Sequence, residues 1–294
     1  VKTDGTVAMV QSFPGRIVMV HPDGTPAGET TYTPPGGAAA GQFSVLVRAF
    51  RLGDGMLLAG IRMTFGGSSQ STQTYFLSRC DADGAEQQVL LQKEHVIDYA
   101  DFRLDEMKMD FVWNRVAVGP DGRVYVAPER NAYAVHVFAP DGATERVIKR
   151  DYEAPVREQR QRDNATRIIE AVGANYPAPL QGLTIEDTEA AVSGMFVTAD
   201  GRLWVATSRA GRDTPEGTWI VMDVFAPDGA FLRQVALPGD HDAQQDALYV
   251  LPDHHVVVVT GALDAWLNQQ AVGAGESESV ETPLGVICYT MENF

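Results

Sequence analysis

The chain has 294 residues, 45% of them hydrophobic and 9% aromatic, which is enough apolar material for a sizeable core without covalent staples. Its formal net charge of −16 excludes a nucleic-acid or anionic-membrane surface, since both need a basic footprint. No run approaches the ~20 apolar residues of a membrane span, and no signal-peptide pattern is present.

Aspartate–glycine pairs punctuate the chain at 4–5, 23–24, 54–55, 83–84, 121–122, 141–142, 200–201 and 228–229. They fall in couples separated by 19, 29, 20 and 28 residues. Short runs rich in Val, Tyr and Phe flank them. Such runs suit a pleated half-buried surface, and Asp-Gly suits a tight hairpin. The clearest example is Val112 to Arg150, with Pro-Asp-Gly at 120–122 and again at 140–142. It reads as a four-stranded antiparallel meander, and its recurrence predicts an all-β fold, a β-propeller.

Five units follow in order, at about 1–32, 44–92, 112–150, 193–237 and 245–292, the last with Pro252-Asp253-His254 at its first turn. The first lacks an inner strand and the last an outer one. Val1 to Gly5 match the middle of a repeat, which predicts residues upstream of Val1. The expectation is a single propeller domain over 1–294 with an insertion at 151–192 between blades. Within that insertion Ala165, Ile168, Ile169 and Val172 form one helical stripe, predicting a helix over about 155–172 that opens at Pro155 and stops at Gly173. Residues 93–111 show no clear period. Cys80 and Cys288 fall in blades that are not adjacent, so two free thiols are expected.

The repeat reads apolar-x-apolar-x-x-Asp-Gly-x-apolar-x-Val, followed by Val-x-Val-Phe-x-x-Asp-Gly. Met195 to Val205 with Met222 to Gly229 carry it, as do Val116 to Val126 with Val135 to Gly142. This pattern resembles the NHL/TolB-like six-bladed propeller class. The resemblance implies six blades where five are counted, and it rests on scaffold positions rather than chemistry.

In such a meander the Asp-Gly turns share one end of the strands. The long segments 33–43, 62–74, 93–111, 151–192, 208–218, 238–245 and 261–284 share the other. Long loops on a rigid scaffold are where binding resides. Several residues on these segments and on the equivalent shorter loops are candidates. Arg16, Arg62, Glu129, Arg130, Arg209, Arg212 and Asp213 could line a shallow pocket for a carboxylate or phosphate, or be rim charges in weak surface pairs. Trp266, in a long loop, is a candidate contact residue. Arg157, Arg160, Arg162 and Arg167 make the insertion helix a basic island, interleaved with Glu158, Asp163 and Glu170. His241, between Asp240 and Asp242, is the candidate general base or ligand.

Seven residues before each first-turn aspartate stand Val47, Asn114, Ser193 and Asp246, the expected first residues of inner strands. Lactonase-type propellers hold calcium or a similar divalent ion in this region. A resemblance to them would make Asn114, Ser193 and Asp246 metal ligands, oxygen donors suiting a hard cation. Three readings stay open. One is a non-catalytic binding or scaffold propeller that presents its long-loop face to a protein or small ligand. The second is a metal-dependent hydrolase or lyase of the lactonase-like type. The third is a sugar- or peptide-binding sensor module. A periplasmic or extracellular bacterial setting is the expected location.

Overall fold

The computed structural model describes residues 5–65, 69–212, 214–251, 255–273 and 284–290, with 271–273 by their backbone alone. The chain divides into two compact units, residues 1–101 and 102–294. The fold is all-β and of β-propeller type. Five meandering antiparallel sheets are present among the described residues, two in the first unit and three in the second.

The first unit opens with β1 (Val7–Gln11), β2 (Arg16–Val20) and β3 (Pro26–Thr31), paired in sequence order. A longer sheet follows, made of β4 (Gln42–Leu52), β5 (Gly55–Phe65), β6 (Gln70–Cys80) and β7 (Glu86–Asp98). The β4–β5 register pairs Leu52 with Gly55, so the turn residues are Gly53 and Asp54 rather than Asp54 and Gly55. β7 runs to Asp98, so residues 93–98 extend the blade rather than interrupt it. Ile17, Tyr32, Leu46, Leu58 and Phe76 pack the two sheets together, with Tyr32 stacked on Phe76 at 4.5 Å. Beneath them Glu86 accepts from Tyr32 Oη at 2.6 Å and Ser78 Oγ at 2.7 Å. Burial in this core, helped by Glu86, pushes the Cys80 thiol up to about 12, leaving it unreactive.

The second unit starts with β8 (Arg103–Asp105) and the short helix α1 (Glu106–Met109). Its first blade is β9 (Val116–Val118), β10 (Val124–Val126), β11 (Ala134–Phe138) and β12 (Thr144–Lys149). Helix α2 (Gln159–Gly173) follows, then β13 (Gly182–Thr184), which pairs in parallel with β8. The next blade is β14 (Val192–Val197), β15 (Leu203–Thr207), β16 (Thr218–Phe225) and β17 (Phe231–Pro238). The last comprises β18 (Ala247–Val250), β19 (His255–Thr260), helix α3 (Ala262–Gly273) and β20 (Gly285–Thr290).

Turn chemistry explains the hairpins. The side chains of Asp121, Asp141, Asp200 and Asp228 each accept the backbone N–H two residues on, at 3.1, 2.9, 3.3 and 2.9 Å. The carboxylate thereby builds the turn from its own position. Consecutive sheets share cores. Tyr125, Val135 and Val137 meet Met195, Val205 and Phe225. Trp204, Trp219 and Met222 meet Val250, Val256 and Val258. The inner strand β14 adjoins both β9 and β18, as successive blades require.

The insertion helix starts at Gln159, four residues later than the opening expected at Pro155. Val156 is bridged to Thr188, and Arg157 N donates to Asp187 O at 2.8 Å, which holds Pro155–Arg157 extended. Gln161 Oε1 then accepts from Glu158 N at 2.9 Å and closes the first turn. Trp266 lies on helix α3 rather than in a loop. Cys80 and Cys288 are both free, the first buried and the second exposed. Among the described residues no helix is long and apolar enough to cross a membrane.

Candidate functional site at the loop end of the second unit

The long segments of the second unit meet one another through buried arginines. Glu106, the first residue of α1, accepts from Arg130 Nη2 at 2.7 Å, from both Nη atoms of Arg157 at 2.7 Å, and from Glu186 N at 2.9 Å. Burial pushes this carboxyl upward, but the Arg157, Glu186 and Arg130 bonds outweigh it and hold it below its ordinary value. Arg130 also donates to Thr188 O at 2.8 Å, and Arg157 to Glu186 O at 3.0 Å. One carboxylate therefore ties the first blade's β10–β11 loop to both ends of the insertion.

Arg209 donates to Glu153 O at 3.0 Å, and Arg212 to Val156 O at 3.0 Å and to Gln161. Glu189 accepts from Gln161 at 3.1 Å and stands 3.8 Å from Arg212. Burial raises its carboxyl above the ordinary value despite Arg157, Arg212 and Arg130 nearby. Three of the arginines singled out by sequence, Arg130, Arg209 and Arg212, thus hold one insertion. Glu129 pairs with His136 at 2.9 Å. Arg16 and Arg62 belong to the first unit, where they pair with Glu29 at 2.7 Å and Glu86 at 3.6 Å. Asp213 lies outside the described residues.

Helix α2 projects from this clamp over the next connection. Arg160 pairs with Asp242, and Asn164 donates to Gln244 at 3.4 Å. Arg167 reaches Asp264 of α3 at 2.9 Å. Burial raises the Asp242 carboxyl, but the Arg160 and backbone Gln244 bonds outweigh it and leave it below the ordinary value. The basic residues predicted on this helix therefore face acidic partners within the chain.

Between the 208–218 and 239–246 segments opens a cavity of about 970 Å³, whose walls include Arg160, Trp219, Asp240, His241, Asp242 and Asp246. Gly211 lets these two segments close on each other, because a Cβ there would stand 2.4 Å from Ala243 Cβ. The His241 ring sits edge-on to Trp219 at 4.9 Å, with Nε2 2.9 Å from Tyr289 Oη and Nδ1 3.9 Å from Asp246. Asp246 accepts from Asp242 N and Gly261 N, both at 2.9 Å. The structure thus brings together His241 and Asp246, two residues picked out on separate grounds. Asn114 is exposed just before β9 and Ser193 is exposed on β14, so all three proposed metal ligands stand at inner-strand starts. Among the described residues no three His, Cys, Asp or Glu side chains cluster as a metal set.

Sequence reasoning did not find Glu106, Glu189, Gln161, Trp219 or Tyr289. The one available signal was the run of arginines at 157–167, which needed acidic partners in a chain so acidic.

Fold and site together define a β-propeller with a loop-end cavity framed by an inserted helix. No family model matches the chain, and no curated protein does. Among solved structures it is similar to a protein of unknown function from Bacteroides thetaiotaomicron, at 12% identity and TM-score 0.32, covering 87% of this chain and 50% of that one. A structure described in work on two prolyl endopeptidases and their inter-domain dynamics gives 14% identity and TM-score 0.28, covering 84% and 34%. A puromycin-hydrolyzing peptidase of Mycobacterium tuberculosis gives 9% identity and TM-score 0.21, covering 87% and 49%. The chain spans half or less of the length of these structures. At such TM-scores the likenesses carry nothing about what this chain does.

Proposed function

We propose that this chain is a non-catalytic binding propeller of the NHL/TolB-like class, six blades being the number that resemblance implies. Its loop ends present a rigid surface to a small ligand or protein in a periplasmic or extracellular setting. The observation that carries this reading is the cavity beside His241, whose walls are fixed by helix α2 through Arg160–Asp242 and by the Glu106 clamp behind it. A pocket with a few convergent polar groups on preformed walls is the usual form of a ligand site. Asp240 stands in the wall beside Asp242, which pairs with Arg160, and the side chains of Asp246, Trp219 and His241 lie largely buried in the same wall. The excess of carboxylates favours a small organic cation, attracted chiefly by Asp240.

Calorimetric titration with arginine, putrescine and choline tests it. Binding to the native chain that weakens about tenfold in Asp240→Asn and in His241→Ala supports the reading. Absence of binding by all three removes it.

The proximity of His241 and Asp246 supports a second reading, a metal-dependent hydrolase or lyase. There Asp246, Asn114 and Ser193 would hold a divalent ion such as calcium, and His241 would act as base. Stoichiometric calcium binding that disappears in Asp246→Ala, with hydrolysis of a lactone lost in parallel, would favour it over the first.

A further inference from the structure

Arg157, just before α2, and Arg160, in its first turn, are held in opposite ways. The Arg157 side chain is only 7% exposed and gives both Nη atoms to Glu106 and one to Glu186 O. The Arg160 side chain is 52% exposed, and its one hydrogen-bond partner among the described residues is Asp242. Arg157 belongs to the clamp that fixes the insertion. Arg160 reaches away from the clamp and forms part of the wall of the His241 cavity. Among the described residues it is the one arginine or lysine on that wall, beside the carboxylates of Asp240 and Asp242.

Asp242 does not depend on Arg160 for its position. Its Oδ1 accepts from Gln244 N at 2.9 Å, and its own N–H donates to Asp246 Oδ2 at 2.9 Å. Its backbone carbonyl accepts from Gln245 N at 3.0 Å and from Asp246 N at 2.8 Å. These bonds build a tight turn in which the aspartate carboxylate caps the N–H two residues on. Arg160 takes the other carboxylate oxygen, Oδ2. A fixed carboxylate on the cavity wall thus has one oxygen covered by a side chain on a long, flexible stem. Exposed pairs of this kind contribute little, because solvent screens them and ordering the stem costs entropy.

The helix stays attached when that pair opens. Gln161, the next residue, is buried and joined to Glu158 N and Glu189. Further along, Arg162 donates to Asp187 at 3.2 Å, Asn164 to Gln244 at 3.4 Å and Arg167 to Asp264 at 2.9 Å. The Arg160 side chain is therefore free to swing into solvent without carrying α2 with it.

We propose that Arg160 is an internal occupant of the cation site: its guanidinium covers Asp242 in the free chain, and a small organic cation enters by displacing it. The proposal rests on the reading of the His241 cavity as a cation site. It adds which carboxylate receives the ligand and what competes for it. Asp240, exposed on the wall, draws the cation in, and Asp242 holds it once Arg160 has left. Arg160 thereby sets the threshold that a cation must exceed to bind.

The test is calorimetric titration with arginine, putrescine and choline. It compares the native chain, Arg160→Gln, Asp242→Asn and the double variant, each folded by circular dichroism. The cation that the native chain binds should bind Arg160→Gln about fivefold more tightly. Asp242→Asn should weaken it about tenfold, and in that background Arg160→Gln should add no gain. Arg167→Ala, which breaks the exposed pair with Asp264 away from the cavity wall, should leave affinity unchanged. Equal or weaker binding by Arg160→Gln would overturn the proposal and leave the cation reading of the cavity standing. A gain that persists beside Asp242→Asn would also overturn it, because removal of a repelling charge would then explain the gain. Binding of none of the three, by the native chain or by Arg160→Gln, would remove the cation reading and this proposal with it.

Discussion

The loop ends of the two units are built from the same repeat and differ in what fills them. In the first unit the strand ends carry a row of phenylalanines and a tyrosine, of which Phe13 and Phe65 are open to solvent and Phe43 and Tyr99 half-buried. In the second, the equivalent positions send out long segments that bury arginine on carboxylate and on backbone carbonyl. A blade scaffold dictates where its excursions emerge and leaves their chemistry free. The first loop end is open surface with few internal obligations. The second is a braced frame, and its charges are occupied in holding it together.

The contrast implies opposite responses to substitution, and the largest should be at Glu106. Removing it leaves Arg130 and Arg157 buried without their shared partner, so Glu106→Ala should cost the second unit about 3–5 kcal/mol. Urea unfolding would measure this, and a cost under ~1 kcal/mol would show that the clamp is ornamental.

Glu106 and Glu189 should also separate by pH. The Glu106 carboxyl lies below its ordinary 4.5, so its contribution is present above that value and is lost as pH falls through the folded value. The Glu189 carboxyl lies above 4.5, so the folded state favours its protonated form. Its contribution is present below 4.5 and is lost as pH rises through the folded value. Glu189→Gln should therefore be neutral or stabilising by up to about 1 kcal/mol at pH 7, and the gain should vanish in acid. A destabilised Glu189→Gln at pH 7 would mean that the ionised form is held as firmly as Glu106.

A smaller effect is expected where the frame meets solvent. The Arg160–Asp242 pair is about half exposed, so Arg160→Ala should cost only about 0.5 kcal/mol. Even so, it should speed hydrogen exchange in residues 159–173, and unchanged exchange would leave α2 braced by the clamp alone. Smallest of all, Phe13→Ala and Phe65→Ala should each change stability by about 0.5 kcal/mol or less. A large loss there would make the aromatic row part of the core rather than a surface.

What was legible in the sequence follows the range of the interactions. The hairpins could be read because Asp121, Asp141, Asp200 and Asp228 build their turns within a few residues. Five repeat units and a helix in the insertion follow from equally local signals. The parallel pairing of 103–105 with 182–184, the Glu106 clamp and the start of α2 at Gln159 were hidden, since each depends on partners far along the chain. Helix α3 was hidden for another reason: its stretch has no strong apolar stripe, and it is anchored by Asp264 to α2. His241 and Asp246 could be named singly, but their proximity needed the turn from Asp242 to Asp246. The aromatic row was beyond reading, because its members are 30, 22 and 34 residues apart and only register aligns them.

The central claim is that the long-loop ends, and not the Asp-Gly ends, are where this propeller meets its ligands. Hydrogen-exchange mass spectrometry of the native chain, with and without a bound small cation, tests it most directly. The account predicts new protection in peptides covering 208–219 and 239–247, with the hairpins at 119–123, 139–143, 199–203 and 226–230 unchanged. Protection at those hairpins, with the cavity segments unaffected, would contradict it.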